Sequence, residues 1–168
     1  MPSTHPALTA VIVIHIAIGL TALICGATAM LSPKRPGRHP VAGRCYLLAL
    51  IALFATAVAL ALTRPHTAYL LIVGAVALAA AGVGYAARRI RWHGWRWFHI
   101  TGMATSYIAI LTAFYVDNGP RLPLWKLLPP VTFWFLPSAV GLPLLVRALH
   151  RHSGHRGRHL SAPKPTGQ

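Results

Sequence analysis

The chain has 168 residues, of which 55% are hydrophobic and only 10% are charged, and its mean hydropathy is +0.57. A soluble domain carries about 25% charged residues, so this composition indicates a protein that resides in a membrane. Sixteen Lys and Arg side chains oppose a single acidic residue, which gives a formal net charge of +15. Because the cations lie between apolar segments and not along one exposed face, the charge does not indicate nucleic-acid binding.

Five apolar segments follow one another, and each is long enough to cross a bilayer whose core is about 30 Å thick. They cover residues 8–31, 41–63, 67–87, 97–116 and 127–149. The sequence therefore predicts an all-α fold, a polytopic transmembrane bundle that forms a single domain over residues 1–150. The polar and basic residues 151–168 are predicted to form a disordered tail.

The cations are distributed unevenly between the two sides of this alternating topology. Thirteen of the sixteen fall in the first connection, the third connection and the tail, whereas Arg64, Arg121 and Lys126 lie on the other side. The positive-inside rule therefore predicts that the N-terminus is outside and the C-terminus is cytoplasmic. Anionic lipid at the cytoplasmic face is the partner that this basic side predicts.

The first span carries an intramembrane histidine, His15, on a stripe of small residues that includes Gly19, Ala22 and Gly26. Helices in membranes associate through small residues, so this stripe is expected to face protein. A polar side chain inside a membrane needs a partner. The candidates for a hydrogen bond to His15 are Thr56, Ser106 and Tyr107.

Two further histidines are expected at the same, cytoplasmic end of the bundle. His39 precedes the second span and His99 opens the fourth, and these two helices would be diagonal in an up-down bundle. Two imidazoles in this arrangement can hold a b-type haem as axial ligands, with Arg44, Arg38 and Arg96 placed to meet its propionates. Two alternatives remain open: interfacial histidines that bond loop carbonyls, and a metal site that includes Cys25 or Cys45.

The two cysteines, Cys25 and Cys45, are predicted to share a depth, about five or six residues from the cytoplasmic ends of their helices. They are interpreted as small packing residues in a reducing compartment, with a disulfide as the alternative. The single acid, Asp117, is expected to end the fourth helix or to pair with Arg121. With one carboxylate there is no carboxylate chain for a proton-coupled transporter. Asp117 lies about 16 Å along the helix from Ser106, so no Ser-His-Asp triad can be assembled and no catalytic residues are predicted.

Several segments of the chain resemble a bacterial family of predicted membrane proteins, catalogued as domain of unknown function 2306. They are HIAIGLTALICG, HPVAGRCY, FHITGMATSYIAILTAF and LLPPVTFWFLPSAVGLPLLV. The resemblance covers nearly the whole chain except the short segment before the first span and the basic tail. It implies a multi-pass protein of a bacterial cytoplasmic membrane, and it implies no known reaction.

The favoured function is a membrane redox module in which histidines ligate a haem-like cofactor, with His39, His99 and Arg44 as binding residues. The alternative is a non-enzymatic membrane protein that binds a small molecule or a partner protein in an intramembrane groove formed by His15, Ser106 and Tyr107. The sequence leaves enzymatic activity open, and it identifies no redox partner. Small-residue helix faces are compatible with a homo-oligomer as well as with packing inside one chain.

Overall fold

The computed structural model of the protein describes residues 6–123 and 125–153, and five long helices account for most of them. The helices are α1 (Pro6–Leu31), α2 (Arg38–Thr63), α3 (Leu70–Ile90), α4 (Trp95–Asn118) and α5 (Thr132–Ser153). Each of the five is long and apolar enough to span a membrane, which confirms the five predicted spans and the all-helical fold of the described residues. Short 3-10 turns occupy Pro65–Thr67, Gly119–Arg121 and Trp125–Leu127.

The helix boundaries differ from the predicted ones where prolines and turns intervene. The helix α2 begins at Arg38, so His39 lies inside its first turn and does not precede it. The helix α3 starts at Leu70, because Pro65–Thr67 forms a separate 3-10 turn. The helix α5 starts at Thr132, after two prolines that lack the N–H a helix interior requires.

The end of the last helix also differs from the prediction. The helix α5 continues to Ser153, which is past residue 151, where the tail was predicted to begin. The remainder of the predicted tail, residues 154–168, lies outside the described residues.

Helices that are consecutive in the chain pack against each other, and the contacts between α1 and α2 and between α3 and α4 are the most extensive. The connections within these two pairs are short, residues 32–37 and 91–94, so each pair forms an antiparallel hairpin. We call them the first hairpin (α1–α2) and the second hairpin (α3–α4). The two hairpins meet in the interior, where α2 and α4 share a hydrogen bond, and α5 packs on α4.

Small residues bring the helices close together, as the sequence predicts. Ala22, Ala77 and Ala81 are completely buried. A Cβ atom added at Gly102 of α4 would lie 2.5 Å from the carbonyl oxygen of Ala80 and 2.9 Å from the main-chain nitrogen of Gly84, so the α3 and α4 backbones are in contact there. Many large apolar side chains are exposed, which is the pattern expected of a bundle surrounded by lipid, whereas Tyr46, Leu50 and Phe133 fill the interior.

Candidate functional site: paired histidines at one end of the bundle

The structure brings His39 of α2 and His99 of α4 together at the end of the bundle where both helices begin. Their ring centroids are 6.3 Å apart, and the ring planes are nearly perpendicular, at 86°. The Trp95 ring lies beside His99, with centroids 6.5 Å apart. Both imidazoles are half-buried, so each is held by protein on one side and accessible on the other.

Two glycines set the positions of these histidines. Gly37 and Gly94 precede α2 and α4 and have φ angles of 123° and 74°. These are conformations that side chains with a Cβ atom rarely adopt, so glycine allows the chain to reverse immediately before each helix. Each reversal returns the next helix to the end of the preceding one, and the histidine then lies within the first two turns of that helix.

Each histidine is hydrogen-bonded to the other helix of its own hairpin. His39 Nδ1–H donates to the carbonyl oxygen of Ala29 at 2.8 Å, and His99 Nδ1–H donates to the carbonyl oxygen of Gly84 at 2.9 Å. A carbonyl oxygen can only accept, so Nδ1 carries the hydrogen in both rings. In the neutral ring, Nε2 therefore keeps a free lone pair. Neither Nε2 atom has a hydrogen-bond partner within the described part of the chain.

The cations that act on this pair are not the ones that the sequence suggested. The charges of Lys34 and Arg88 are felt at both His39 and His99. Lys34 Nζ also donates to the carbonyl oxygens of Ala29 and Met30 at the end of α1, and burial lowers its pKa. Sequence spacing did not predict that Lys34 and Arg88 act on the histidines. Lys34 comes near them because the connection between α1 and α2 folds back.

The arginines that were predicted to meet propionates are all exposed. Arg44 follows His39 by five residues, so it lies about 140° around the helix from the histidine face. Arg96 lies over the Trp95 ring, 5.5 Å from its centroid.

A second pair of polar residues lies beneath the histidines on the same two helix faces. Tyr46 follows His39 by seven residues, and Ser106 follows His99 by seven, which is about two turns or 10 Å along each helix. The Tyr46 hydroxyl and Ser106 Oγ are 2.7 Å apart and hydrogen-bonded. Tyr46 is 1% exposed and Ser106 is completely buried, so these two side chains fill the interior below the histidine pair.

The three residues of the predicted groove lie at different places. His15 bonds Thr56 of α2 at 2.8 Å, which identifies its partner among the three candidates. Thr56 Oγ1 also lies 2.9 Å from the carbonyl oxygen of Leu53 and 3.1 Å from that of Ala52, so it is held within its own helix as well as by His15. The Tyr107 hydroxyl donates to the carbonyl oxygen of Leu23 at 3.0 Å. His15 is thus bonded within the first hairpin, whereas Ser106 and Tyr107 join the second hairpin to the first.

Asp117 is exposed and lies one residue before the end of α4, so its predicted position at a helix end is confirmed. The contact with Arg121 is made by the main chain, because Arg121 Nη1 donates to the Asp117 carbonyl oxygen at 3.0 Å.

The cysteines form a close pair. Cys25 Sγ of α1 and Cys45 Sγ of α2 are 2.8 Å apart, which agrees with the depth that the sequence predicts for them. Among the described residues, no three His, Cys, Asp or Glu side chains come together as they would around a metal ion.

Comparison of the chain with protein-family models, with curated proteins and with solved structures gave no match. The resemblance that the sequence suggests stays a prediction, and the function is inferred from the arrangement of the side chains.

Proposed function

We propose that this protein is a membrane redox module that holds a b-type haem between His39 and His99. The observation that carries the proposal is the pair of imidazoles, 6.3 Å apart at their centroids, with both Nε2 atoms free. With metal–nitrogen bonds of about 2.0–2.1 Å, two imidazoles on opposite sides of one metal have centroids about 6.4 Å apart. The spacing of the two rings therefore suits axial ligation of one iron atom.

The number of protein ligands also favours haem over a bare ion. A structural zinc ion takes four protein ligands, and the described residues bring together only the two histidines at this place. The porphyrin supplies four nitrogen ligands of its own, so two histidines complete the coordination of its iron. Gly43, one turn beyond His39, would meet nothing within 4 Å if it carried a Cβ atom, so the space beside this face of α2 is open.

The chain's own residues would hold and orient the cofactor. The hydrogen bonds from Nδ1 to the carbonyl oxygens of Ala29 and Gly84 fix the direction of each ring and increase the basicity of Nε2. Lys34 and Arg88 supply positive charge beside the imidazoles, where it would offset the propionates. A bound haem would supply reversible one-electron transfer.

The visible spectrum of the purified protein tests this proposal. We expect a Soret band after expression in haem-sufficient cells, and its loss in His39→Asn and in His99→Asn. An asparagine amide can still donate to the carbonyl oxygen that Nδ1 binds, but it has no counterpart of Nε2. The asparagine variants thus separate ligation from a purely structural role of the histidines.

His93→Asn is the matched control, because His93 is exposed in the connection before α4. This variant should keep the band. A wild-type protein without a Soret band, or asparagine variants with unchanged spectra, would contradict the proposal.

The groove alternative is less well supported. Ser106 is completely buried, and Tyr46 uses its hydroxyl, so a ligand there would have to displace the Tyr46 side chain and break a buried hydrogen bond. Breaking such a bond without replacing it costs about 1–3 kcal/mol. This cost favours the open histidine end as the binding site.

We further propose that the histidine end faces the cytoplasm of a bacterium, with the N-terminus outside and anionic lipid around the basic connections. Five cations lie in the two connections beside the histidines or in the adjoining helix end: Lys34, Arg35, Arg88, Arg89 and Arg91. The positive-inside rule then favours this orientation. A reporter fused to the C-terminus should report the cytoplasm. An external reading would reverse the orientation.

A further inference from the structure

We propose that Cys25 and Cys45 form a second redox site, a dithiol that a lipid-soluble quinone oxidises to a disulfide. The two sulfur atoms are 2.8 Å apart across the interface of α1 and α2. A disulfide bond is about 2.05 Å long, so the sulfurs need to approach by only about 0.8 Å. The first hairpin already holds them in place, so closure requires no rearrangement of the helices.

The distance between the two sulfur atoms favours a disulfide over a metal site. Two thiolates on one tetrahedral zinc ion, with Zn–S bonds of about 2.3 Å, lie about 3.8 Å apart. The sulfurs of Cys25 and Cys45 are closer than that, and no third His, Cys, Asp or Glu joins them among the described residues. A bond between the two sulfurs is therefore the favoured reaction of this pair.

The position of the pair indicates the kind of oxidant. Cys25 lies six residues before the end of α1 and Cys45 seven residues after the start of α2, which places both about 10 Å inside the spans. Both cysteines are half-buried. Val41 and Leu48, about one turn on either side of Cys45, are 64% and 68% exposed, so Cys45 lies on a face of α2 that presents apolar side chains to lipid. A water-soluble oxidant cannot reach this depth, whereas a quinone dissolves in the bilayer.

The reaction balances with a quinone as the oxidant. The S–H bonds of Cys25 and Cys45 break, and one S–S bond forms between them. The two electrons and two protons pass to the quinone, which becomes a quinol. The histidines take no part in this step, so the inference does not depend on haem binding.

Counting the free thiols of the full-length protein in lipid nanodiscs tests the inference. The thiols are counted with a maleimide after each treated sample is unfolded in SDS, and the reduced protein should then bind two labels. After treatment with a short-chain quinone it should bind none, and one quinol should form per chain. Oxidised glutathione, which stays in water, should leave both labels.

Cys25→Ser and Cys45→Ser are the matched controls, and each should keep one label and form no quinol. Three results would each overturn the inference: two labels that survive the quinone, equally fast oxidation by glutathione, or a disulfide that joins two chains on a non-reducing gel.

Discussion

The contact between α3 and α4 at Gly102 yields a prediction whose size can be worked out from the structure. An ordinary Cβ contact begins at 3.4 Å, but in Gly102→Ala the new Cβ atom would lie 2.5 Å from the carbonyl oxygen of Ala80. The helices would have to separate by about 0.9 Å, because a main-chain oxygen cannot rotate away. A gap of this size removes about a quarter to a half of the van der Waals attraction across it.

The same separation would stretch the bond between His99 Nδ1 and the Gly84 carbonyl oxygen, which is now 2.9 Å long. Overpacking costs about 1–3 kcal/mol, and an interhelical hydrogen bond in a membrane contributes about 0.6 kcal/mol. We therefore expect Gly102→Ala to lower the free energy of unfolding by about 1.6–3.6 kcal/mol.

Unfolding in mixed micelles of increasing SDS content, followed by circular dichroism, measures this change. Gly82→Ala on α3 is the control, because a Cβ atom there would meet nothing within 4 Å. Removing a helical glycine without a clash should leave the stability unchanged or raise it by up to about 1 kcal/mol. If Gly102→Ala and Gly82→Ala unfold at the same SDS fraction, the helices do not pack as closely as described.

Three further predictions concern polar side chains. In a double-mutant cycle, His15→Ala and Thr56→Val should show a coupling of about 0.6–1.7 kcal/mol, and zero coupling would mean that their hydrogen bond is absent in lipid. Tyr46→Phe leaves the buried Ser106 hydroxyl without its partner and should cost about 1–3 kcal/mol in SDS unfolding, most of which Ser106→Ala should recover in the double variant. Burial lowers the pKa of Lys34 in the folded protein, so the unfolded chain holds that proton more tightly. The stability of the wild type relative to Lys34→Gln should therefore rise as the pH increases towards 10.5. A stability difference that stays constant with pH would refute this.

The five spans could be predicted because the length of an apolar run alone determines whether a segment can cross a bilayer. The protein-facing side of His15 followed from its stripe of small residues, but its partner did not. Three hydroxyl groups were compatible with the stripe, and only the relative height of α1 and α2 selects Thr56. The starts of α3 and α5 were misplaced because hydropathy does not register the 3-10 turns that precede them.

The pairing of His39 with His99 could be anticipated in outline, because alternating spans place both at one end. Hydrogen bonds from these histidines to loop carbonyls were one of the predicted alternatives, but the acceptors are the carbonyl oxygens of Ala29 and Gly84, which lie in helices. Which carbonyl accepts could not be predicted, since it depends on how closely each connection folds back onto its helix. The approach of Cys25 to Cys45 likewise requires a register between two helices that is correct to about 1 Å. Sequence periodicity determines which face of a helix is buried, but it does not determine axial offsets that small.

The hairpin organisation bears on how the protein is assembled in the membrane. His39 links α2 to α1 and His99 links α4 to α3. The Nδ1–H group of each histidine therefore has its hydrogen-bond acceptor within its own hairpin, before the two hairpins meet. In the described part of the chain, two side-chain hydrogen bonds cross between the hairpins, those of Tyr46 and Tyr107. Each hairpin can therefore enter the bilayer as an independent insertion unit. A cofactor bound by both histidines would then act as a clamp added at the docking step, and a chain cut between α2 and α3 should still reassemble from its two halves.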